Sequence, residues 1–173
     1  MAEQAQIDEL RTKMREQRGK LLALLEGLSE EEAERSTTGE GEWSAKQQMS
    51  HLCEMESAYR AWVGAALAED GANVDGVRGE PPAIPLERAQ GNSVADHVGE
   101  MRRQRAETDA MIDGISAADF DRRASNRLFG SLTVMQWLRS YYRHDRMHCD
   151  QLRGEEPDYK PQYAGGREPD QRR

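Results

Sequence analysis

The sequence predicts an all-α protein, a bundle of four long helices. Apolar residues recur every three or four positions along four separate stretches, the period of an amphipathic helix. Ser44 with Gln47, and Thr133 with Gln136, place capping boxes at the starts of two of them. β signals are weak. Phe, Trp and Tyr together are 6% of the 173 residues, and no stretch alternates apolar and polar side chains over a strand's length.

The first helix is expected from about Gln6 to Leu28, where Ile7, Leu10, Met14, Leu21, Leu24, Leu25 and Leu28 fall near helical spacing. It ends near Gly27, and Ser29-Glu30-Glu31-Glu32 then opens a short capped turn. The second helix runs from Ser44 to about Glu69 and carries Ser44, Gln48, His51, Met55, Ala58 and Trp62 along one stripe. The segment from Asp70 to Asn92 holds Gly71, Gly76, Gly79, Pro81, Pro82, Pro85 and Gly91. It is long for a helix–helix connection and stiffened by proline, which predicts a crossover that runs along the bundle and helps to close a site.

The third helix spans Ser93 to about Ile115, with Val94, Val98, Met101, Thr108, Ile112 and Ile115 in helical phase. Gly114-Ile115-Ser116-Ala117-Ala118-Asp119 then echoes the end of the first helix. The fourth runs from Thr133 to about Gly154. The plan is two helical hairpins with similar connections, which shared capping chemistry explains as well as shared ancestry does. Residues 1–154 form the expected bundle domain, and residues 155–173 a C-terminal extension. That extension either wraps onto the bundle or is disordered; Pro157, Pro161, Gly165, Gly166 and Pro169 give it a composition that favours disorder.

Composition narrows the partners. The net charge is −8, from 32 acidic and 24 basic residues, which argues against a nucleic-acid ligand because phosphates need a basic face. No apolar run is long enough for a membrane span, and the polar segment Met1–Leu10 holds no signal core, so the protein is expected in the cytoplasm. Cys53 and Cys149 are too few for a disulfide framework and are read as reduced, half-buried thiols.

Two of the four histidines form His144-Asp145-Arg146-Met147-His148. Four apart on a helix they share a face, which suits either a common ion or a solvated surface. His51 lies on the largely apolar stripe of the second helix, where an imidazole calls for a hydrogen-bond partner or a metal. It reaches the level of the pair if the second and fourth helices run antiparallel. His97 fits no such pattern and is expected at the surface or at a cap. Trp137, Tyr141 and Gln151 lie within about 40° of the pair in helical phase. Tyr141, Gln151 and Glu54 are candidates to support the site. Asp145 is another, although for Glu54 and Asp145 surface salt bridging is the plainer role. Asp109 and Asp113 are read as solvated.

The run Trp43-Ser44-Ala45-Lys46-Gln47-Gln48-Met49-Ser50-His51-Leu52 resembles the DinB/YfiT-like motif in which a tryptophan and a helix start precede the first metal histidine. The run His144-Asp145-Arg146-Met147-His148-Cys149-Asp150-Gln151 is similar to that family's closing H-x3-H-x2-Q pattern. The resemblance covers about Ile7 to Arg153. It implies a four-helix bundle of down-up-up-down topology, with one divalent ion (nickel, zinc, iron or manganese) held by His51, His144 and His148.

Enzymes of that kind include transferases using bacterial low-molecular-weight thiols, a mycothiol-using maleylpyruvate isomerase and metal-dependent hydrolases. The resemblance therefore implies a transferase joining a small thiol to an electrophile, a hydrolase, or a non-catalytic metal-binding stress protein. It also suggests a homodimer. Three ligands leave a coordination position open for chemistry, and no phosphate-binding glycine loop, CxxC motif or Ser-His-Asp order offers another route.

Overall fold

The computed structural model describes residues 2–35 and 43–165. Five α-helices carry the chain: α1 (Gln4–Glu26), α2 (Glu30–Glu34), α3 (Ala45–Ala68), α4 (Val94–Asp113) and α5 (Val134–Leu152). The short α2 is the capped turn expected after Ser29. The other four pack around one core, α1 against α4 and α5, and α3 between α4 and α5.

Capping chemistry fixes where helices start. Ser29, Ser44, Ser93 and Thr133 each accept a hydrogen bond from the amide three residues on, and the side chain at that position bonds back to the cap amide. At the far end of α5, Gly154 takes φ +72°. Its amide donates to the Gln151 carbonyl at 3.0 Å and the Glu155 amide to that of Asp150 at 2.9 Å, so freed carbonyls are satisfied as the chain turns away.

The protein is mostly helical, not all-α. A small sheet joins β1 (Ala72–Asn73), β2 (Arg123–Asn126) and β3 (Gly130–Thr133), with β1 parallel and β3 antiparallel to β2. These strands are two to four residues long, too short and polar to show a period of two. Their hairpin places Phe129 against Trp62 and Trp137, with ring centroids 6.2 and 5.8 Å apart.

The Asp70–Asn92 connection is tied to α3 at four levels. Trp62 Nε1 donates to the Val77 carbonyl, Ser57 Oγ to Glu80 and Ser50 Oγ to Ile84, each at 2.9 Å. Ser44 Oγ donates to Gln90 Oε1 at 3.1 Å. A 3-10 turn, Leu86–Gly91, leads into α4. His97 is fully buried beneath that turn, with Nε2 donating to the Ala89 carbonyl at 2.8 Å. This overturns its expected surface place: its helical phase matches that of the core residues Val94 and Met101, and the turn covers it. Burial disfavours its charged form and lowers its pKa.

The core is two apolar clusters with a charged layer between them. One gathers Leu10, Met14, Trp62, Ile112, Trp137 and Leu138; the other Leu21, Leu25, Met49, Leu52, Val98 and Met101. Between them each long helix contributes one ion: Arg18 from α1, Glu56 from α3, Arg105 from α4 and Asp145 from α5. Arg18 donates to Asp145 at 2.9 and 3.1 Å and to Glu56 at 2.6 Å. Arg105 donates to Glu56 at 2.7 Å and to Asp145 at 2.9 Å. The remaining guanidinium hydrogens reach the carbonyls of Met101 and Met14, and Thr108 Oγ1 adds a donor to Glu56.

The set is neutral and satisfied, which offsets the desolvation of four charges and leaves mainly a geometric requirement that the helices keep register. Asp145 is thus a core anion rather than a surface one. Burial alone would raise its pKa, but the two guanidinium groups outweigh that and hold it at about 2.

The C-terminal extension, as far as Gly165, lies against the body, the wrapped arrangement rather than the disorder that its composition favoured. Asp158 pairs with Arg146 at 2.5 Å, Arg143 lies 5.7 Å from the Tyr159 ring centroid, and Tyr163 meets Phe129 with centroids 5.3 Å apart. Gly166 and Pro169 lie outside the described residues. Among the described residues no helix is long and apolar enough to cross a membrane.

Candidate metal centre

His51 projects from α3, and His144 and His148 from successive turns of α5. Antiparallel packing brings the three to one level, as the pairing of Tyr59 with Tyr141 and of Trp62 with Trp137 along the same helices shows. One ligand atom from each imidazole lies within 4.8 Å of the others, and all three residues are buried. Ring centroids are 5.2 Å apart for His51–His144, 5.6 Å for His51–His148 and 4.6 Å for His144–His148.

The ring nitrogens are assigned by their partners. His148 Nδ1 lies 2.9 Å from Gln48 Oε1. An amide oxygen can only accept, so Nδ1 carries the proton and Nε2 keeps its lone pair. That Nε2 faces His144 Nε2 at 3.0 Å. Two nitrogens each about 2.1 Å from one ion and at about a right angle would stand that far apart. The donor set, neutral imidazoles with one tautomer fixed by a buried amide, fits a divalent cation.

Other side chains shape the surroundings. The Trp43 ring packs on His51 with centroids 4.8 Å apart, and the Tyr59 ring stands 6.3 Å from His144. The sequence places Gln48 on the His51 stripe, but neither Gln48 nor Tyr59 was expected to support the site. Gln48 shares a face with His51 at the preceding turn, a signal that could have found it. Tyr59, eight residues beyond His51, shares its face too.

The candidates named from sequence divide. Tyr141 and Gln151 are buried; the Tyr141 hydroxyl and Gln151 Oε1 have no hydrogen-bond partner among the described residues. Burial raises the Tyr141 pKa well above that of an ordinary phenol, with the Glu56 charge adding to the effect. Glu54 is exposed, and no hydrogen bond or ion pair among the described residues ties it to the imidazoles. Asp145 turns its carboxylate to Arg18 and Arg105. Asp109 and Asp113 are exposed as expected, Asp113 paired with Arg11. Cys53 and Cys149 are free, and buried rather than half-buried, in the second apolar cluster. Burial pushes the Cys53 thiol up to about 12, so it is no ready thiolate.

A cavity of about 620 Å³ opens beside the cluster, with His51 and His144 in its wall. Met55, Tyr59, Trp137 and Phe129 supply apolar surface, and Asp158 to Tyr163 of the extension form the opposite side.

A mostly helical bundle with three imidazoles converging on one point beside a cavity defines a class, the helical-bundle proteins with a buried histidine cluster that could hold a metal. This chain belongs to the DinB superfamily, whose family model matches residues 13–152. It is 22% identical over 142 residues to the uncharacterised protein YuaE of Bacillus subtilis, covering 75% of this chain and 86% of that one. Its fold is similar to that of YfiT from Bacillus subtilis, a probable metal-dependent hydrolase with an unusual four-helix bundle topology. That match has a TM-score of 0.72 at 15% identity and covers 89% of this chain and 87% of the other. A mycothiol-dependent maleylpyruvate isomerase matches with a TM-score of 0.68 at 14% identity over 84% of this chain. The present chain spans only 60% of that isomerase.

Proposed function

We propose that His51, His144 and His148 hold one divalent ion and that the protein is a metal-dependent transferase joining a small thiol to an electrophile. The observation that carries this reading is the convergence of three buried imidazoles within 4.8 Å at the wall of a cavity of about 620 Å³. When bound, a divalent ion would lower the pKa of a thiol or water brought to it. The chain's own residues do the rest. Gln48 fixes the His148 tautomer, Trp43 and Tyr59 hold the imidazole rings by packing, and the aromatic wall excludes water from the reacting group.

The nucleophile comes from outside, because both cysteines are buried in the other cluster. The mycothiol-dependent neighbour favours a low-molecular-weight thiol for that part. A second reading, hydrolysis by activated water, is favoured by the likeness to YfiT. The equal 44-residue offset of the Lys46–Gln90 and Arg60–Gln104 contacts supports a down-up-up-down order, with Asp70–Asn92 as the crossover. On this reading residues 1–154 are the bundle and 155–173 its extension, and the protein works in the cytoplasm as a homodimer. Light scattering at twice the 19.6 kDa chain mass would support the dimer, and one chain mass would refute it.

The test supplies cysteine, glutathione, bacillithiol or mycothiol with a model electrophile, with and without nickel, zinc, iron or manganese. Metal-dependent conjugation that is lost in His144→Ala supports the transferase. Ester or amide turnover without thiol supports the hydrolase, and no turnover with a full metal site leaves a binding protein. Elemental analysis should find about one ion per chain, lost in His51→Ala and His148→Ala, retained in His97→Ala and released below about pH 6 as imidazole protonates.

A further inference from the structure

We infer that the cavity beside the three histidines takes a small molecule with a carboxylate head, bound by Arg143, and an apolar body lying on the aromatic wall. This inference deepens the proposed function by naming its substrate class.

Charge in the cavity wall is uneven. Besides its imidazoles, the charged lining residues are Arg143, Asp158 and Lys160. Asp158 is taken up by Arg146 at 2.5 Å and Lys160 by Glu156 at 2.7 Å. Arg143 has no carboxylate within ion-pair distance among the described residues; it rests against the rings of Tyr142 and Tyr159 at 5.8 and 5.7 Å. In a chain of net charge −8, a half-buried guanidinium left without a counter-ion at a cavity wall is a local reversal of sign. One uncompensated cation matches one negative charge, and a guanidinium fork matches a carboxylate in two parallel hydrogen bonds.

Position links this group to the candidate chemistry. Arg143 precedes His144 on α5, so a molecule held by its head at Arg143 would extend along the wall that His144 and His51 share. The remaining wall offers Tyr59, Trp137 and Phe129, faces suited to an apolar or aromatic body.

The test is calorimetric titration of the full chain with 3-phenylpropionate and, as the neutral isostere, 3-phenylpropionamide. Each is run on zinc-loaded and on chelator-stripped protein, with metal content measured separately. The acid should bind at least about tenfold tighter than the amide in both metal states. Arg143→Gln should erase that preference while leaving amide binding and zinc content unchanged. Raising salt from about 0.05 to about 0.5 M should shrink the preference in the wild type, a readout that needs no variant.

Equal binding of acid and amide, binding of neither, or a preference that survives Arg143→Gln would overturn the inference. So would a preference confined to zinc-loaded protein, because the ion would then be the anion's seat. Loss of zinc binding with an intact Arg143-dependent preference would instead sink the metal reading alone.

Discussion

Asp145→Asn tests the charged layer that joins the four long helices. The side chain is 1% exposed and accepts three hydrogen bonds from Arg18 and Arg105. Asparagine keeps the shape but leaves two buried guanidinium groups sharing Glu56. Removing one partner from a buried ionic set costs about 3–5 kcal/mol, because a charge is left uncompensated. The lowered pKa of the carboxyl, which the two guanidinium groups hold down against the effect of burial, has the same sign: the charged form is the one the fold favours.

A loss of about 3–5 kcal/mol is a large part of the 5–15 kcal/mol that stabilises a typical domain. With a urea m-value near about 2 kcal/mol/M, the midpoint should fall by roughly 1.5–2.5 M, read by circular dichroism at 222 nm. Adding Arg105→Gln restores neutrality, so the double variant should be less destabilised than the two single losses together by at least about 1 kcal/mol. Metal content of the folded variant should stay at wild-type level, since the carboxylate faces α1 and α4. A midpoint shift below about 0.3 M, or additive losses, would refute the account of the layer as a coupled set.

Acid should weaken the fold through the same groups: Asp145 and Glu56 have lowered pKa values in the fold, so their contribution is full above about pH 5, beyond the ordinary values of both carboxyls. It is lost as pH falls toward about 2, and a flat urea midpoint across that window would contradict this. Gln48→Ala should weaken metal affinity by about 10- to 100-fold without changing the stoichiometry, because His148 loses the acceptor that fixes its tautomer; competition with a chelating dye reads it, and unchanged affinity would remove Gln48 from the site. At Gly79 an added Cβ would stand 2.3 Å from the backbone carbon of Ser57. Gly79→Ala should therefore lift the connection off α3, lower stability by about 1–3 kcal/mol and speed tryptic cleavage after Arg78, and an unchanged cleavage rate would argue against close packing there.

Helices and histidines were legible in the sequence because their signals are local. Ser44, Ser93 and Thr133 cap the helices they begin, since a cap bonds an amide three residues away. His144 and His148 share a face by helical period alone. His97, the charged layer and the sheet were harder. Arg18 follows Met14 and precedes Leu21, and Arg105 stands between Met101 and Ile112, so both interrupt apolar stripes in phase. That much could have been read as a sign of buried charge.

What the sequence by itself determined is the helical content, the helix starts and a pair of imidazoles on one face. Each follows from interactions within one or two turns. The tertiary structure decided which ions meet, that a 3-10 turn buries His97, that the extension walls a cavity and that Arg143 stands there without a counter-ion among the described residues. Arg18 and Asp145 are 127 residues apart and His148 and Gln48 are 100 apart. Such partners are selected by which helix packs against which, and no local propensity carries that information.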